Sequence, residues 1–368
     1  MTGRERMERT LRGEKIDRVP WTTIADGRSR EGMPEAYRDC DFLEFYRKIG
    51  CDMLIFGRWG MPEASRPPNP FAITFPYEGS SREEGGVVTH QRKLGRATLT
   101  GKYLREHPVK YPVETAGDAA ALLDIWEGAK VEKNDAYRRS DRTAEEAIGE
   151  DGVFALTLNP SPIQALIEEE CGMETFYYLM QDEPALMERL IGAMYEKRRQ
   201  EYRIAAESHY SLVIPVENTS TRLVSPSFYR KYSLEHMTEF ARAMHSHGKK
   251  AIVHMCGHIR DLLPDFREAG IDGIHMLTDP PVGDCPFEMA LQALGEEAIL
   301  MGVLATDVFQ GDGATPGDIR SAVKRALRDR VRESNFILCP AIDGIATPPW
   351  KLEAVRDAVE EFGYKGHA

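Results

Sequence analysis

From about residue 150 onward, apolar residues gather in short runs of strand length: Val153–Leu158, Leu212–Val216, Ala251–Met255, Gly273–Leu277, Ile299–Val303 and Phe336–Leu338. The stretches between them have amphipathic helical spacing, the longest from Glu183 to about His209 and from Pro226 to His247. Ser225 stands as a cap before the second of these, and Gly248 follows its end. Strands alternating with helices predict an α/β chain of parallel βαβ units. Two more strands, near Val19 and Met53, bring the total to eight, the complement of a (β/α)8 TIM barrel. An open doubly wound sheet is the fold alternative, but no strand is followed by the G-x-G-x-x-G fingerprint of that class.

The regularity breaks between Trp59 and Pro112. Pro67, Pro68 and Pro70 mark a loop, and Gly86-Val-Val-Thr-His-Gln and Arg96-Ala-Thr-Leu-Thr flank a turn at Gly95. That pattern predicts an antiparallel hairpin inserted over residues 59–112. Arg4 to Leu11 reads as a short helix, and Arg18-Val-Pro-Trp-Thr-Thr as the first buried strand. No repeat, low-complexity tract or linker divides the chain, so residues 1–368 read as one domain.

Composition narrows the function. A chain of 368 residues that is 42% hydrophobic and 29% charged has material for a large core, which excludes disordered and fibrous classes. The formal charge of −12 disfavours nucleic acid and anionic membrane surfaces as partners. No run reaches the roughly 18 apolar residues of a membrane helix, and the charged start MTGRERMERTLRGEK lacks the apolar core of a signal peptide. Six cysteines without regular spacing fit reduced thiols and a cytoplasmic setting rather than a disulfide framework.

In a barrel, chemistry sits at the C-terminal ends of the strands. The residues there are Asn159, Glu217, His254 with Cys256, Thr278, and Cys339. Residues i and i+2 of a strand share a face, so His254 and Cys256 can grip one ion. Cys339 and Glu217 come from other strand ends and complete a candidate zinc set, since thiolate and imidazole suit Zn(II) at about 2.0–2.3 Å. Imidazole and two thiolates would balance the ion's charge and leave a fourth position for Glu217, water or substrate. Such a centre can act as a Lewis acid on a heteroatom, with Glu217, His254 and Cys256 as the catalytic candidates. Cys285, in Gly-Asp-Cys-Pro, is the rival for the third thiolate.

Plainer readings compete. A buried Cys is usually a small core residue, and Glu217 could pair with Arg222. His245 and His247 end a helix before Gly248, where they complement its C-terminus. His258 opens the next element as a supporting or surface residue. Gly311-Asp-Gly-Ala-Thr-Pro-Gly lacks the Lys of a phosphate loop, and Thr315-Pro316 reads as a helix start. Cys40, Cys51 and Cys171 have no metal spacing.

Several motifs in order resemble the uroporphyrinogen decarboxylase superfamily: Arg9-Thr-Leu-Arg-Gly-Glu, Asp17-Arg-Val-Pro, Tyr111-Pro-Val-Glu-Thr, Ser225-Pro-Ser-Phe-Tyr and His254-Met-Cys-Gly. More narrowly, the chain is similar to the zinc-dependent, corrinoid-linked methyltransferases of that superfamily. The resemblance implies a (β/α)8 barrel with one zinc ion on His254, Cys256 and Cys339. It also implies methyl transfer between a small substrate and the cobalt of a separate corrinoid protein. No Asp-x-His-x-x-Gly corrinoid anchor occurs in the chain, which agrees with a corrinoid carried by a partner.

Two departures refine this. Cys339 stands in Leu-Cys-Pro-Ala, whereas many thiol-methylating relatives carry their Cys a few residues later, so demethylation of a small methylated donor is favoured. The decarboxylase's Arg-rich Phe-Met-Arg-Gln-Ala-Gly-Arg segment is replaced by Ile24-Ala-Asp-Gly-Arg-Ser-Arg, leaving Arg28 and Arg30 as groups for an anion. Arg28, Asn218 and Tyr77 are the substrate-binding candidates, with Phe71 and Phe75 available to cover a ligand. The expected partners are a small methylated substrate such as a methoxyaromatic or methylamine, a corrinoid protein, and a second copy of the chain. The alternatives are a lyase acting on a porphyrinogen-like polycarboxylate, a methylcorrinoid:thiol methyltransferase, and a zinc-stabilised barrel that only binds a corrinoid protein.

Overall fold

The computed structural model describes residues 1–57, 61–105, 107–139, 143–304, 306–310 and 313–365. In chain order its strands are β1 (Met53–Phe56), β2 (Phe71–Thr74), β3 (Glu78–Glu84), β4 (Val87–Leu94), β5 (Ala97–Leu104), β6 (His107–Lys110), β7 (Lys130–Lys133), β8 (Gly152–Leu158), β9 (Leu212–Pro215), β10 (Ile252–His254), β11 (Gly273–Thr278), β12 (Ile299–Leu304) and β13 (Asn335–Pro340). β1, β8 and β9 form one parallel sheet, and β10 to β13 form another. Both are covered on two faces: β12 is buried along its whole length, which is why its sequence is a continuous apolar run. The fold is therefore mixed α/β with parallel sheets.

The sheets are linked at both flanks. Val216, just past β9, bridges His254 of β10. On the other side Trp21 bridges Leu338 and Ile24 bridges Ala341, while Asp52 N–H donates to Trp21 O at 2.8 Å. The segment around Val19 is paired only through such isolated bridges. Pro20 has no N–H to give, Trp21 N–H goes to the Asp52 carboxylate at 3.1 Å, and Leu54 N–H goes to Thr22 Oγ1 at 3.1 Å. Side chains thus supplement the backbone bonds, which include Thr22 N–H to Leu338 O at 2.9 Å and Leu338 N–H to Pro20 O at 3.0 Å.

The helix Gly3–Arg12 is capped by the Thr2 hydroxyl and ends at Gly13, whose φ of 70° suits glycine. Its Met7 and Leu11 join Leu54, Ala155, Ile214, Ile252, Met301 and Ile337 in one cluster, contributed by strands of both parallel sheets. Burying each of these two side chains contributes about 2 kcal/mol. Gly3 lies against the Asp151 carbonyl, just ahead of β8, so the helix sits at the N-terminal ends of the strands. Arg6 bonds Asp17 at 2.7 Å and also reaches buried Asp52, which pairs with Arg18 at 2.7 Å.

Where the sequence predicts one hairpin, residues 78–110 form four antiparallel strands in the order β3-β4-β5-β6, and β2 pairs with β7. Trp59, at the start of the expected insertion, lies outside the described residues. The expected long helix over 226–247 is two, Pro226–Tyr232 and Leu234–His245, separated at Ser233. The other long helix spans Pro184–Ala206. No described helix is long and apolar enough to cross a membrane.

Candidate functional site

The C-terminal strand ends carry the chemistry-bearing residues and a cleft of ≈ 320 Å³. Gly57, Thr157, Asn159 and Val216 line it at the ends of β1, β8 and β9, and Phe71, Glu168 and Glu169 form its other walls. The two carboxylates belong to Leu166–Glu170, a π-helical turn, an uncommon geometry frequent at functional sites. Burial holds both carboxyls above the ordinary carboxylate range. Gln164 Nε2 donates to Glu168 at 2.8 Å. Glu170, next in the turn, takes a 2.8 Å bond from Arg92 of β4, and Val113 N–H donates to Glu170 O at 3.0 Å. The antiparallel sheet is thereby fastened to the wall of the cleft.

His254 ends β10. Burial lowers its imidazole to about 4, so it is neutral at neutral pH. Its Nδ1 lies 2.8 Å from Nδ1 of His275 on β11, and Phe56 of β1 stacks on both rings. Cys256 is exposed, and its Sγ donates to Asn218 Oδ1 at 3.5 Å. Although its surface is accessible, the protein around it desolvates the thiol enough to raise it, with the Glu168 and Asp343 carboxylates adding to the effect. Asn218 takes the left-handed conformation (φ 50°), its N–H donates to His254 O at 3.0 Å, and its side chain meets Glu168. Asn218 is therefore the link between the His254–Cys256 strand end and the cleft.

The other expected residues are placed differently. Glu217 is fully buried and its carboxylate accepts from Ser161 N–H (2.7 Å), Ser161 Oγ (2.6 Å) and Thr219 Oγ1 (3.0 Å). Both oxygens are occupied, and the carboxyl is pushed up to about 7 by burial despite these donors. Cys339 is sealed beside Met276 and Val303, its thiol pushed up to about 12 by burial. Cys285 is also buried, its Sγ bonded to Pro286 O at 3.7 Å. Among the described residues no three His, Cys, Asp or Glu side chains are grouped so as to hold a metal ion. Of the expected zinc set, His254 and Cys256 share a strand end and have suitable donors, while Glu217 is engaged by Ser161 and Thr219 and Cys339 is buried beside Met276 and Val303.

Arg28 is exposed on the short helix Gly27–Arg30. Arg30 is spent on the Tyr37 and Cys40 carbonyls (3.2 and 2.8 Å) and lies over the Phe42 ring. Tyr77 stacks on Phe75, which stands edge-on to Trp126, while Phe71 lines the cleft. Asn159 donates to Glu201 at 3.3 Å, and Thr278 Oγ1 to the Cys256 carbonyl at 3.4 Å. His275, Phe56 and Glu168 escape sequence reasoning. His275 is in phase with His254 but hidden in an apolar run, and Leu-Ile-Glu-Glu-Glu resembles a solvated helix face.

Residues 163–362 match the family model described as uroporphyrinogen decarboxylase (URO-D), more than half of the chain. The chain belongs to the uroporphyrinogen decarboxylase family. Among solved structures this URO-D chain is similar in fold to a methyltransferase from Methanosarcina mazei, at 14% identity, with 98% of this chain and 99% of that chain covered and a TM-score of 0.59. A D-psicose 3-epimerase (10% identity, 66% and 80% covered, TM-score 0.34) and a glycoside hydrolase family 5 enzyme from Prevotella bryantii (11%, 62% and 78%, 0.33) are more distant and carry no argument. No protein of curated function matches the chain.

Proposed function

We propose that this URO-D family member is a methyltransferase that moves a methyl group from a small methylated donor to the cobalt of a corrinoid on a separate protein. In this reading the eight parallel segments close into a single (β/α)8 barrel domain, with its open mouth at the strand ends that carry Cys256. The bridges from Val216 to His254 and from Trp21 to Leu338 support that closure. The observation that carries the functional reading is the chemistry of the cleft. Glu168 and Glu169 face it, and no Arg or Lys is among its described lining residues. A polycarboxylate substrate, which the family's decarboxylase activity would require, finds no cationic partner among those lining residues. A neutral or cationic methylated donor needs none.

Transfer of the methyl as a cation equivalent leaves the bonding pair on the donor heteroatom, which then takes a proton. Glu168, with its carboxyl raised by burial and held by Gln164, is the cleft acid suited to give that proton. His254 and Cys256 are the residues that would hold a zinc ion. When bound, the ion would supply Lewis-acid polarisation of the heteroatom. Asn218 orients Cys256, and Phe71 covers the apolar side of the donor.

The test is loss of methyl from a panel of methoxyaromatics and methylamines, with and without a corrinoid protein, alongside metal analysis of wild type and Cys256→Ala. Corrinoid-dependent demethylation, lost together with bound zinc in Cys256→Ala, is the expected result. Release of carbon dioxide from a polycarboxylate without corrinoid or metal would overturn the proposal and favour the lyase.

A further inference from the structure

His254 does not stand alone at its strand end. In the parallel register of β10 and β11 it is directly opposite His275. The two Nδ1 atoms approach to 2.8 Å, a hydrogen-bond distance. Phe56 stacks on His254 at 5.2 Å and 23° and on His275 at 4.5 Å and 28°. His275 is 1% exposed. The β11–β12 ladder shifts register immediately after it, where Met276 takes φ 64°, a strained value for a side-chain-bearing residue.

A bond between two Nδ1 atoms uses up that nitrogen on both rings, with one carrying the proton and the other presenting its lone pair. His254 is then left with Nε2 alone, and among the described residues Nε2 has no hydrogen-bond partner. Flipping the His254 ring would keep its plane against Phe56 but break this bond, a preference of about tenfold for the bonded orientation. We propose that His275 is a positioning residue that commits His254 to act through Nε2, whatever His254 meets at the strand ends. Its effect on turnover rests on the methyl-transfer reading; the ring geometry does not.

The experiment separates the two. Full-length protein labelled with 15N-histidine gives two-bond proton–nitrogen correlations that report the tautomer of each ring. Wild type is expected to show one neutral ring protonated at Nδ1 and its neighbour protonated at Nε2, each in a single form. His275→Phe removes the bond but keeps a ring, so His254 should become a mixture of tautomers. His275→Asn places an amide where Nδ1 was and should restore the single form. In the demethylation assay His275→Phe should lower kcat about tenfold with KM within twofold, and His275→Asn should recover most of it. An unchanged His254 spectrum in His275→Phe, or mixed tautomers in wild type, would overturn the proposal; the wild-type spectrum decides it even if His275→Phe fails to fold. Single tautomers in a wild type that transfers no methyl would overturn the proposed function and leave the positioning intact.

Discussion

Replacing Glu217 with Gln tests whether burial makes this strand-end acid harder to ionise in the folded protein than in the unfolded chain. The side chain is fully buried, with three donors on its two oxygens, and its carboxyl is pushed from 4.5 up to about 7, chiefly by burial. Because the folded value lies above the unfolded one, the folded state holds its proton more tightly. The resulting stability is fully present below pH 4.5 and is lost as pH rises to about 7. At roughly 1.4 kcal/mol per pH unit, the loss across that window is about 3 kcal/mol. Gln cannot titrate, and other groups respond alike in both proteins. Urea unfolding of wild type and Glu217→Gln from pH 4 to 8 should therefore show the wild-type advantage shrinking by about 3 kcal/mol. A difference that is flat, or that grows with pH, would refute the reasoning. Growth in particular would mean that the carboxylate is the stabilised form, as an anionic metal ligand would need.

Two further substitutions probe the frame. A Cβ on Gly152 would stand 1.9 Å from the Met53 carbonyl on the paired strand, so Gly152→Ala should cost about 3 kcal/mol in thermal unfolding. Arg92→Ala strands the largely buried Glu170 carboxylate and should cost about 3 kcal/mol; hydrogen exchange should rise in residues 78–110 before it rises in β12.

Much of the architecture is written in the apolar runs, because a strand buried on both faces has nothing to alternate. β8, β11, β12 and β13 each contain an expected run and extend it by one to three residues. The segment from Arg18 to Thr23 pairs through isolated backbone bridges and is held in addition by the Asp52 and Thr22 side chains, which hydropathy does not encode. β3 is missed because Glu78–Glu84 is polar throughout and exposed on both faces, held by pairing with β4 alone. The division at Ser233 leaves the amphipathic period intact on either side, so the pattern reads as one helix. At the site, His254 and Cys256 are legible because they alternate at the end of an obvious strand. Glu217 is found in position, but its bond to Ser161 is not legible, because that partner lies 56 positions away. His275 becomes visible only once two strands are set side by side.

The helix Gly3–Arg12 has a kinetic consequence. Met7 and Leu11 pack against the end where the strands begin. In the closed barrel proposed above, substrate and product would then share the opposite end as one doorway, so occupancy would be sequential and a spent molecule would block its successor. A docked protein would then close the vestibule on its contents, making departure of that partner a gate on every cycle.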